Sequence, residues 1–378
     1  MNKVVYVASI GDPNEIDTFG GTPYYFLRES VRQGFVSKGL SLKANTVAIK
    51  FARLAWTLHS VLSGIKYGGF QYSEVFLNAV WRHAGQIEGA TIINFFQLYP
   101  QVIVHNNKVE KWFYIDQTLN QMFLTYGKPG NLKEASISEI LLREREGYIS
   151  AKGIFVVSQN AKEDLCRNYR IDQNKIFVVP RGANFDVDLY NRWLLTSNPS
   201  HCTPENPLRF IFVGRDAYRK GLDRMLAAFY IAEAKGANIE LSVVGTEEFK
   251  SECKSNKVHW LGHIDKKYDL IKYLEILSSS DVGCLLSRAE AGGISLREFH
   301  ATGLPVIFPN VGGANCFVMP EASFPIDSSA TATVIADLLI FLDNNRDLVQ
   351  HKKNLAWNGK QEMLWPSGVA SIKKSVES

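Results

Sequence analysis

The stretch Glu290-Ala-Gly-Gly-Ile-Ser-Leu-Arg-Glu298 and the segment from there to Phe308 decide the fold class. That segment contains small residues, Ala-Thr-Gly-Leu-Pro at 301–305, and then the apolar run Val-Ile-Phe at 306–308. This order predicts a glycine loop, a helix, a Gly-Pro stop and a buried strand. In an α/β sheet such a loop lies at the carboxyl end of a strand, where ligands bind. Its backbone N–H groups, a helix N-terminus and two carboxylates favour a ligand that is anionic and rich in hydroxyl groups.

Length and composition indicate a folded protein of two domains. The 378 residues exceed the size at which a single hydrophobic core stops growing. The net charge of +4, without any Lys/Arg block, argues against a nucleic-acid partner. No apolar run is long enough for a transmembrane helix, and the N-terminus predicts a buried strand rather than a signal peptide. Five cysteines without a Cys-x-x-Cys pair favour a reduced, cytoplasmic protein with no metal site and no disulfides.

Strands alternate with helices along both halves of the chain. Apolar runs of strand length lie at 4–8, 90–96, 112–115, 153–157, 176–180, 208–214, 239–244, 258–261, 282–286 and 305–308. This alternation predicts an α/β protein of two Rossmann-like parallel-sheet domains that face a central cleft. We expect an N-terminal domain at 1–190, a proline-rich linker at 191–207 and a C-terminal domain at 208–362. A final helix at 363–378 is expected to pack back on the N-terminal domain.

One predicted helix, between Asn45 and Ile65, has two interpretations. Lys50, Arg53 and Lys66 carry its charge. Its apolar stripe recurs at helical spacing and consists of Val47, Phe51, Leu54, Ala55, Leu58, Leu62 and Ile65. A basic amphipathic helix can lie on an anionic membrane surface, whereas an apolar stripe can also pack on the sheet. The modest charge and aromatic content favour the packed helix.

The second half, from Arg209 to about Val318, resembles the retaining glycosyltransferases of family 4, also called glycosyl transferases group 1. The paired glutamates carry this resemblance, and so does Val213-Gly-Arg-Asp-Ala-Tyr-Arg-Lys-Gly221. The resemblance implies a GT-B fold whose C-terminal domain holds a UDP- or GDP-sugar donor. The N-terminal domain would bind a glycan, lipid-linked or other hydroxyl acceptor. It also implies transfer with retention and without a metal or other cofactor.

The resemblance assigns roles to four charged side chains. Arg215 and Lys220 would hold the donor diphosphate, Glu290 would face the sugar hydroxyls, and Glu298 would accept the ribose hydroxyls. The chemistry agrees, because a guanidinium and an ammonium stabilise the charge that develops on the leaving oxygens. The leaving diphosphate would then help to deprotonate the attacking hydroxyl on the same face of the sugar.

The remaining donor contacts implied by the resemblance come from glycine-rich backbone: Gly20, Gly21, Gly214, Gly292, Gly293, Ile294 and Ser295. Glycine lets the backbone approach a ligand closely. Many family members have Phe where this chain has Gly292, so we expect a differently shaped sugar pocket. Thr22 followed by Pro23 predicts an N-cap and helix start directly after the first glycine pair.

The N-terminal half departs from the family pattern at Tyr114-Ile-Asp-Gln-Thr118, where members usually have a histidine. Asp116 is the ionisable group there, either a ligand for the acceptor or donor sugar or an exposed loop residue. The missing histidine leaves open a catalytically silent nucleotide-sugar-binding protein or partner subunit. A nicotinamide-dependent oxidoreductase is disfavoured, since no Gly-x-Gly-x-x-Gly follows either opening strand. A peripheral membrane contact on the cytoplasmic face stays open.

Overall fold

The computed structural model describes residues 4–43, 46–62, 69–82, 87–128, 132–198, 201–247 and 255–378. The chain divides into two compact units, one of Met1–Pro180 with Val369–Ser378 and one of Arg181–Gly368. Within the described residues, each unit contains one six-stranded parallel sheet with helices between the strands. The predicted α/β class with two parallel-sheet domains is therefore confirmed.

The first unit is built on strands β1 (Val5–Ile10), β2 (Lys38–Leu42), β3 (Thr91–Asn94), β4 (Glu110–Ile115), β5 (Gly153–Val156) and β6 (Ile176–Val178). Their order is β2-β1-β3-β4-β5-β6. Its helices are α1 (Thr22–Arg32), α2 (Thr46–Leu62), α3 (Glu74–Trp81), α4 (Gln101–Val104), α5 (Leu119–Tyr126), α6 (Glu134–Ser150) and α7 (Gln159–Arg167). The central strands β3, β4 and β5 are buried along most of their length, which explains their continuous apolar runs.

The second unit has strands β7 (Leu208–Val213), β8 (Ile239–Val244), β9 (Val258–Gly262), β10 (Val282–Cys284), β11 (Val306–Pro309) and β12 (Ser323–Ile326). Their order is β12-β11-β10-β7-β8-β9. Its helices are α8 (Val187–Thr196), α9 (Ala217–Lys220), α10 (Leu222–Ala234), α11 (Lys266–Ser278), α12 (Ile294–Ala301), α13 (Ala332–Asn344), α14 (Arg346–Gly359) and the start of α15 (Trp365–Glu377).

A buried ion cluster joins the starts of β7 and β10. Asp281, directly before β10, accepts hydrogen bonds from Lys353 Nζ at 2.7 Å and from Arg209 Nε at 3.0 Å. Burial alone would raise the pKa of Asp281, but these two cations hold it below its ordinary value. Since both charges of a buried pair must stay matched, the cluster fixes β10 beside β7.

The structure differs from the sequence-based expectations at two helix positions. Helix α1 has Gly21 at its N-cap, and Thr22 is already helical and buried, so the predicted Thr22 cap is wrong. Helix α8 occupies part of the segment expected to be a linker, and it buries Tyr190 and Trp193. Trp193, which lies within the expected linker, gives that segment a packing role that its proline-rich composition concealed.

Helix α2 packs through a different face from the one expected. The predicted stripe, which included Phe51 and Leu58, is exposed, whereas Ile49 and Trp56 pack against the core of the first unit. The predicted apolar stripe therefore points away from the core of the first unit. Ile65, which the prediction included, lies outside the described residues. None of the helices in the part of the chain that the structure describes is long and apolar enough to cross a membrane.

Candidate functional site

The second sheet reverses its strand order at β7, which lies between β8 and β10. From β7 the chain runs through Gly214 and Arg215 into α9, which ends at Lys220. From β10 it runs through the glutamate loop into α12. In open α/β sheets, ligands bind outside the carboxyl ends of the strands at such a reversal. Two candidate segments that are about seventy residues apart in the sequence therefore meet at one edge of the sheet.

The clearest contact at this edge is an ion pair between Lys220 and Glu290. The ammonium of Lys220 bonds Oε2 of Glu290, and Ser287 Oγ donates to the same oxygen at 3.2 Å. The guanidinium of Arg219 lies 3.8 Å from that oxygen and donates to Ala289 O at 3.1 Å. The Glu290 carboxylate is thus largely buried and is matched by two cations. The structure brings together two of the side chains that the sequence proposed for one site.

Arg215 is exposed and lies next to His263, which follows β9. The two side chains are joined through Nη2 of Arg215 and Nε2 of His263, 3.3 Å apart. A guanidinium can only donate hydrogen bonds, so the ring nitrogen is the acceptor in this contact. The sequence motifs indicated no role for the His263 side chain, yet this contact links Arg215 to the loop after β9.

Glu298 on α12 has partners of its own. Tyr273 Oη donates to its Oε2 at 2.7 Å, and Lys266 Nζ pairs with its Oε1 at 2.5 Å. Burial and this carboxylate together raise the pKa of Tyr273 well above its ordinary value. Only 3% of the Glu298 side chain is exposed, while Lys266 is partly exposed and lies over the Tyr273 ring. The two glutamates of the motif therefore belong to separate ion pairs.

Glycines shape the loop between the two glutamates. A Cβ at Gly292 would lie 2.5 Å from Phe317 Cζ, and the Phe317 ring is buried, so no side chain fits at this position. Gly312 has a φ of +55°, and a Cβ there would lie 1.9 Å from the Glu290 carbonyl oxygen. The N–H of Gly313 donates to that same oxygen at 3.1 Å. This glycine pair therefore fixes the backbone of Glu290, and Gly293 forms the N-cap of α12.

Arg288 is a residue that sequence reasoning missed. Its guanidinium donates to both carboxylate oxygens of Asp223, at 2.8 and 2.7 Å, and to Tyr218 O at 2.5 Å. It also stacks on the Tyr218 ring at 4.0 Å, and its backbone N–H donates to Arg219 O at 2.8 Å. Burial alone would raise the pKa of Asp223, but the Arg288 contacts hold it below its ordinary value. Arg288 thus fastens the loop after β10 to α9 and α10.

Three sequence-predicted residues lie in the first unit. Gly20 and Gly21 follow β1 in a 3-10 turn, with φ values of 63° and 86°. Asp116 follows β4, and its Oδ1 accepts from the Gln117 N–H at 3.0 Å. Thr118 caps α5 and donates to Asp164 Oδ2 at 2.5 Å. The Thr118 contacts anchor the loop of Asp116 at its α5 end.

The buried carboxyl of Glu144 holds the start of α5, directly after that loop. Glu144 accepts hydrogen bonds from the Leu119 N–H at 2.8 Å, from Tyr148 Oη at 2.7 Å and from Tyr169 Oη. Burial raises the pKa of Glu144 to about 8, against the lowering effect of these hydrogen bonds. Among the described residues there is no group of three or more His, Cys, Asp or Glu that could hold a metal ion.

Comparison with known proteins finds a family model that matches most of the second unit. Residues 196–362 match the model of the family described as "Glycosyl transferases group 1". A 199-residue segment is 27% identical to the uncharacterized glycosyltransferase MJ1607 of Methanocaldococcus jannaschii and covers 50% of each chain. A 233-residue segment is 23% identical to the capsular polysaccharide biosynthesis glycosyltransferase CapM of Staphylococcus aureus, over 59% of this chain and 60% of that one. The matches thus span only half to three fifths of these curated relatives.

The whole chain shares its fold with solved structures, which include WaaG, a glycosyltransferase involved in lipopolysaccharide biosynthesis, with a TM-score of 0.61 at 14% identity over 98% of each chain. The sucrose-phosphate synthase from Thermosynechococcus elongatus superposes with a TM-score of 0.65 at 15% identity, over 100% of this chain and 98% of that one. The fold is therefore GT-B, as the resemblance predicted. Residues 196–362, which are less than half of the chain, are thus similar to the glycosyl transferases group 1 family.

We predict that Glu144→Gln flattens the pH dependence of stability. The pKa of Glu144 in the folded chain lies above its ordinary value of 4.5. The folded chain therefore keeps a proton that the unfolded chain releases as the pH rises from about 4.5 to about 8. The contribution of this proton to the free energy of unfolding is fully present below pH 4.5. It is lost as the pH rises to about 8, and the loss is on the order of a few kcal/mol. Urea unfolding at both ends of the window should show this loss in the wild type and little of it in Glu144→Gln.

The exposed Glu139 on the same helix provides the control, and Glu139→Gln should keep the wild-type pH profile. If the free energy of unfolding fell equally with pH in the wild type and in Glu144→Gln, Glu144 would not be the group that keeps its proton in the folded chain.

A second prediction concerns Arg288→Lys, which keeps the charge but removes the planar fork and its stacking on Tyr218. Since the pair with Asp223 is one third exposed, stability should change by less than about 1 kcal/mol. Hydrogen exchange measured by mass spectrometry should be faster in the segment 287–293. Arg192→Lys, an exposed arginine on α8, should leave this exchange unchanged. If the segment 287–293 of Arg288→Lys exchanged hydrogen at the wild-type rate, the loop would not depend on the Arg288 side chain.

Proposed function

We propose that this chain is a glycosyltransferase that moves a sugar from a nucleotide-sugar donor to a hydroxyl acceptor. The observation that carries the proposal is the meeting of Lys220 and Glu290 at the switch point of a group 1 domain. Both Arg215 and Lys220 lie in the segment that follows β7, Arg215 just after the strand and Lys220 at the end of α9. A cation for a diphosphate and a carboxylate for sugar hydroxyls are therefore adjacent, which is the combination that a nucleotide sugar requires.

The proposed chemistry is stabilisation of the leaving group by protein cations. As the bond between the sugar and the diphosphate breaks, negative charge grows on the leaving oxygen. Lys220 supplies a compact ammonium and Arg215 an exposed fork, which lower the free energy of that charge. Glu290 orients the sugar through its hydroxyls and supports positive charge at the anomeric carbon. The leaving oxygen takes the proton of the attacking hydroxyl on the same face, so the anomeric configuration is retained and no metal takes part.

The first unit is proposed to hold the acceptor. Asp116 lies in a loop that follows a strand of its sheet, where ligands of α/β proteins bind, and Gly20 and Gly21, which follow β1, are proposed to approach the donor. Because the relative CapM is named for capsular polysaccharide biosynthesis, a growing glycan or its lipid-linked form is the acceptor class to test first. The donor is proposed to be a UDP- or GDP-sugar, and its sugar is selected by the loop that contains Gly292 and Phe317.

A second candidate function is a catalytically silent nucleotide-sugar-binding subunit. The observation that favours it is the loop after β4, which offers Asp116 as its ionisable side chain and has no histidine. Such a subunit would be stabilised by a donor but would release no nucleoside diphosphate with any acceptor. Thermal-shift and turnover measurements on the same panel of nucleotide sugars separate the two functions.

On the proposed function, Lys220→Ala and Glu290→Gln should each lower turnover about 100-fold or more while the fold is kept. Lys220→Ala should also reduce the thermal shift produced by the donor, because it removes a contact to the diphosphate. The measurement is release of nucleoside diphosphate, with circular dichroism as the check on folding. Lys235→Ala, which breaks a surface pair with Asp337, is the matched control and should behave as the wild type. Full turnover in either folded site variant would refute the assigned roles.

Turnover should be unaffected by EDTA, because two protein cations rather than a divalent ion neutralise the leaving group. The measurement is the initial rate before and after chelation, followed by addition of Mn²⁺ or Mg²⁺. A loss of activity that Mn²⁺ restores would contradict the metal-free proposal without affecting the assignment of the donor site.

A further inference from the structure

Helix α2 of the first unit has apolar side chains on two opposite faces. Ile49, Ala52 and Trp56 form the inner face, which packs against the core of the unit. The outer apolar stripe is defined by Phe51, 69% exposed, Leu54, 55%, Leu58, 56%, Val61, 59%, and Leu62, 86%. At about 100° per residue these five positions fall within an arc of about 100°, opposite to the inner face. The stripe is thus a continuous surface and not a set of scattered side chains.

The charge on α2 has a single sign. The helix contains no Asp or Glu, and the exposed side chains of Lys50 and Arg53 lie to one side of the outer apolar stripe. Arg53 is held in place, since its guanidinium lies 5.5 Å from the centre of the Phe70 ring. An apolar arc flanked by cations is the pattern of a helix that lies in the interface of an anionic membrane.

The packing of the inner face fixes α2 in position on the first unit. Because Ile49, Ala52 and Trp56 are packed against the folded unit, α2 keeps its position while the outer stripe stays at the surface. The helix therefore does not have to detach or refold before its apolar side chains meet a partner. It offers a rigid apolar ridge, which costs less conformational entropy to bind than a segment that must first become ordered.

We propose that the outer apolar stripe of α2, with Lys50 and Arg53, docks the first unit on an anionic lipid surface. The apolar side chains enter the boundary between headgroups and acyl chains, and the two cations pair with lipid phosphates. A second copy of the chain is a poorer occupant. An isologous contact on this stripe would bring the cations of two helices together, with no acidic residue on α2 to match them.

The test is co-sedimentation of the purified chain with phosphatidylcholine vesicles, with and without phosphatidylglycerol. The chain should bind the vesicles that contain phosphatidylglycerol, and raised salt should weaken this binding. The double variant Leu54→Gln/Leu58→Gln should lower the partition coefficient about tenfold or more, because two large apolar groups no longer leave water. Lys50→Glu should lower it severalfold for anionic vesicles only. These side chains are exposed, so the fold should be kept, as circular dichroism can verify.

The matched control is Leu124→Gln/Leu195→Gln, which removes two strongly exposed leucines from α5 and α8. It should bind vesicles as the wild type does. An equal loss in this control, or wild-type chain that stays in the supernatant with anionic vesicles, would overturn the proposal. A dimer in light scattering that Leu54→Gln/Leu58→Gln dissociates, without vesicle binding by the wild type, would assign the stripe to self-association instead. No donor or acceptor enters the assay, so its outcome is independent of the proposed transferase activity.

Discussion

The loops that leave β7 and β10 are joined by charged contacts of two kinds, an outer and an inner one, and the candidate site depends on both. Arg288 forms the outer contact, where its fork engages Asp223 and its plane covers Tyr218. Lys220 and Glu290 form the inner contact, which is largely buried. An ion pair that is one third exposed adds little stability, since water and salt screen it, whereas its geometry still limits how far the loops can separate. The outer contact therefore holds the loops in register, and the inner one places opposite charges where a ligand can use them.

Much of this arrangement could be predicted from the sequence because it rests on local patterns. Apolar runs marked the strands, and glycines next to charged residues marked the loops at their carboxyl ends. The contact between Lys220 and Glu290 joins residues seventy positions apart. Only the parallel pairing of β7 with β10 brings them together. Arg288 could not be recognised for a related reason, since a lone surface arginine is usually solvated and its partners lie about seventy residues upstream.

Two further features show where periodicity stops being informative. In α2 the spacing of apolar residues fits the stripe of Phe51 and Leu58 as well as the stripe of Ile49 and Trp56. A helical period cannot tell which of two apolar faces packs on the sheet. Glu144 lies in the run Arg-Glu-Arg-Glu at 143–146, a pattern typical of a solvated helix face, yet it is fully buried among tyrosines. In both cases the tertiary surroundings, and not the local pattern, decide what is buried.

The two glutamates of the motif already have cationic partners, and this constrains what the site can bind. Lys220 matches Glu290 and Lys266 matches Glu298. An anion without hydroxyl groups that binds either lysine would separate it from its glutamate. The buried carboxylate would then lack a counter-charge, which costs free energy. A neutral sugar offers hydroxyls to the carboxylates but no charge to the lysines. On the proposed function, a nucleotide sugar supplies both, since its diphosphate replaces the carboxylate on the lysine side while its hydroxyls donate to the carboxylates. The internal ion pairs thus favour ligands that carry an anion and hydroxyls together.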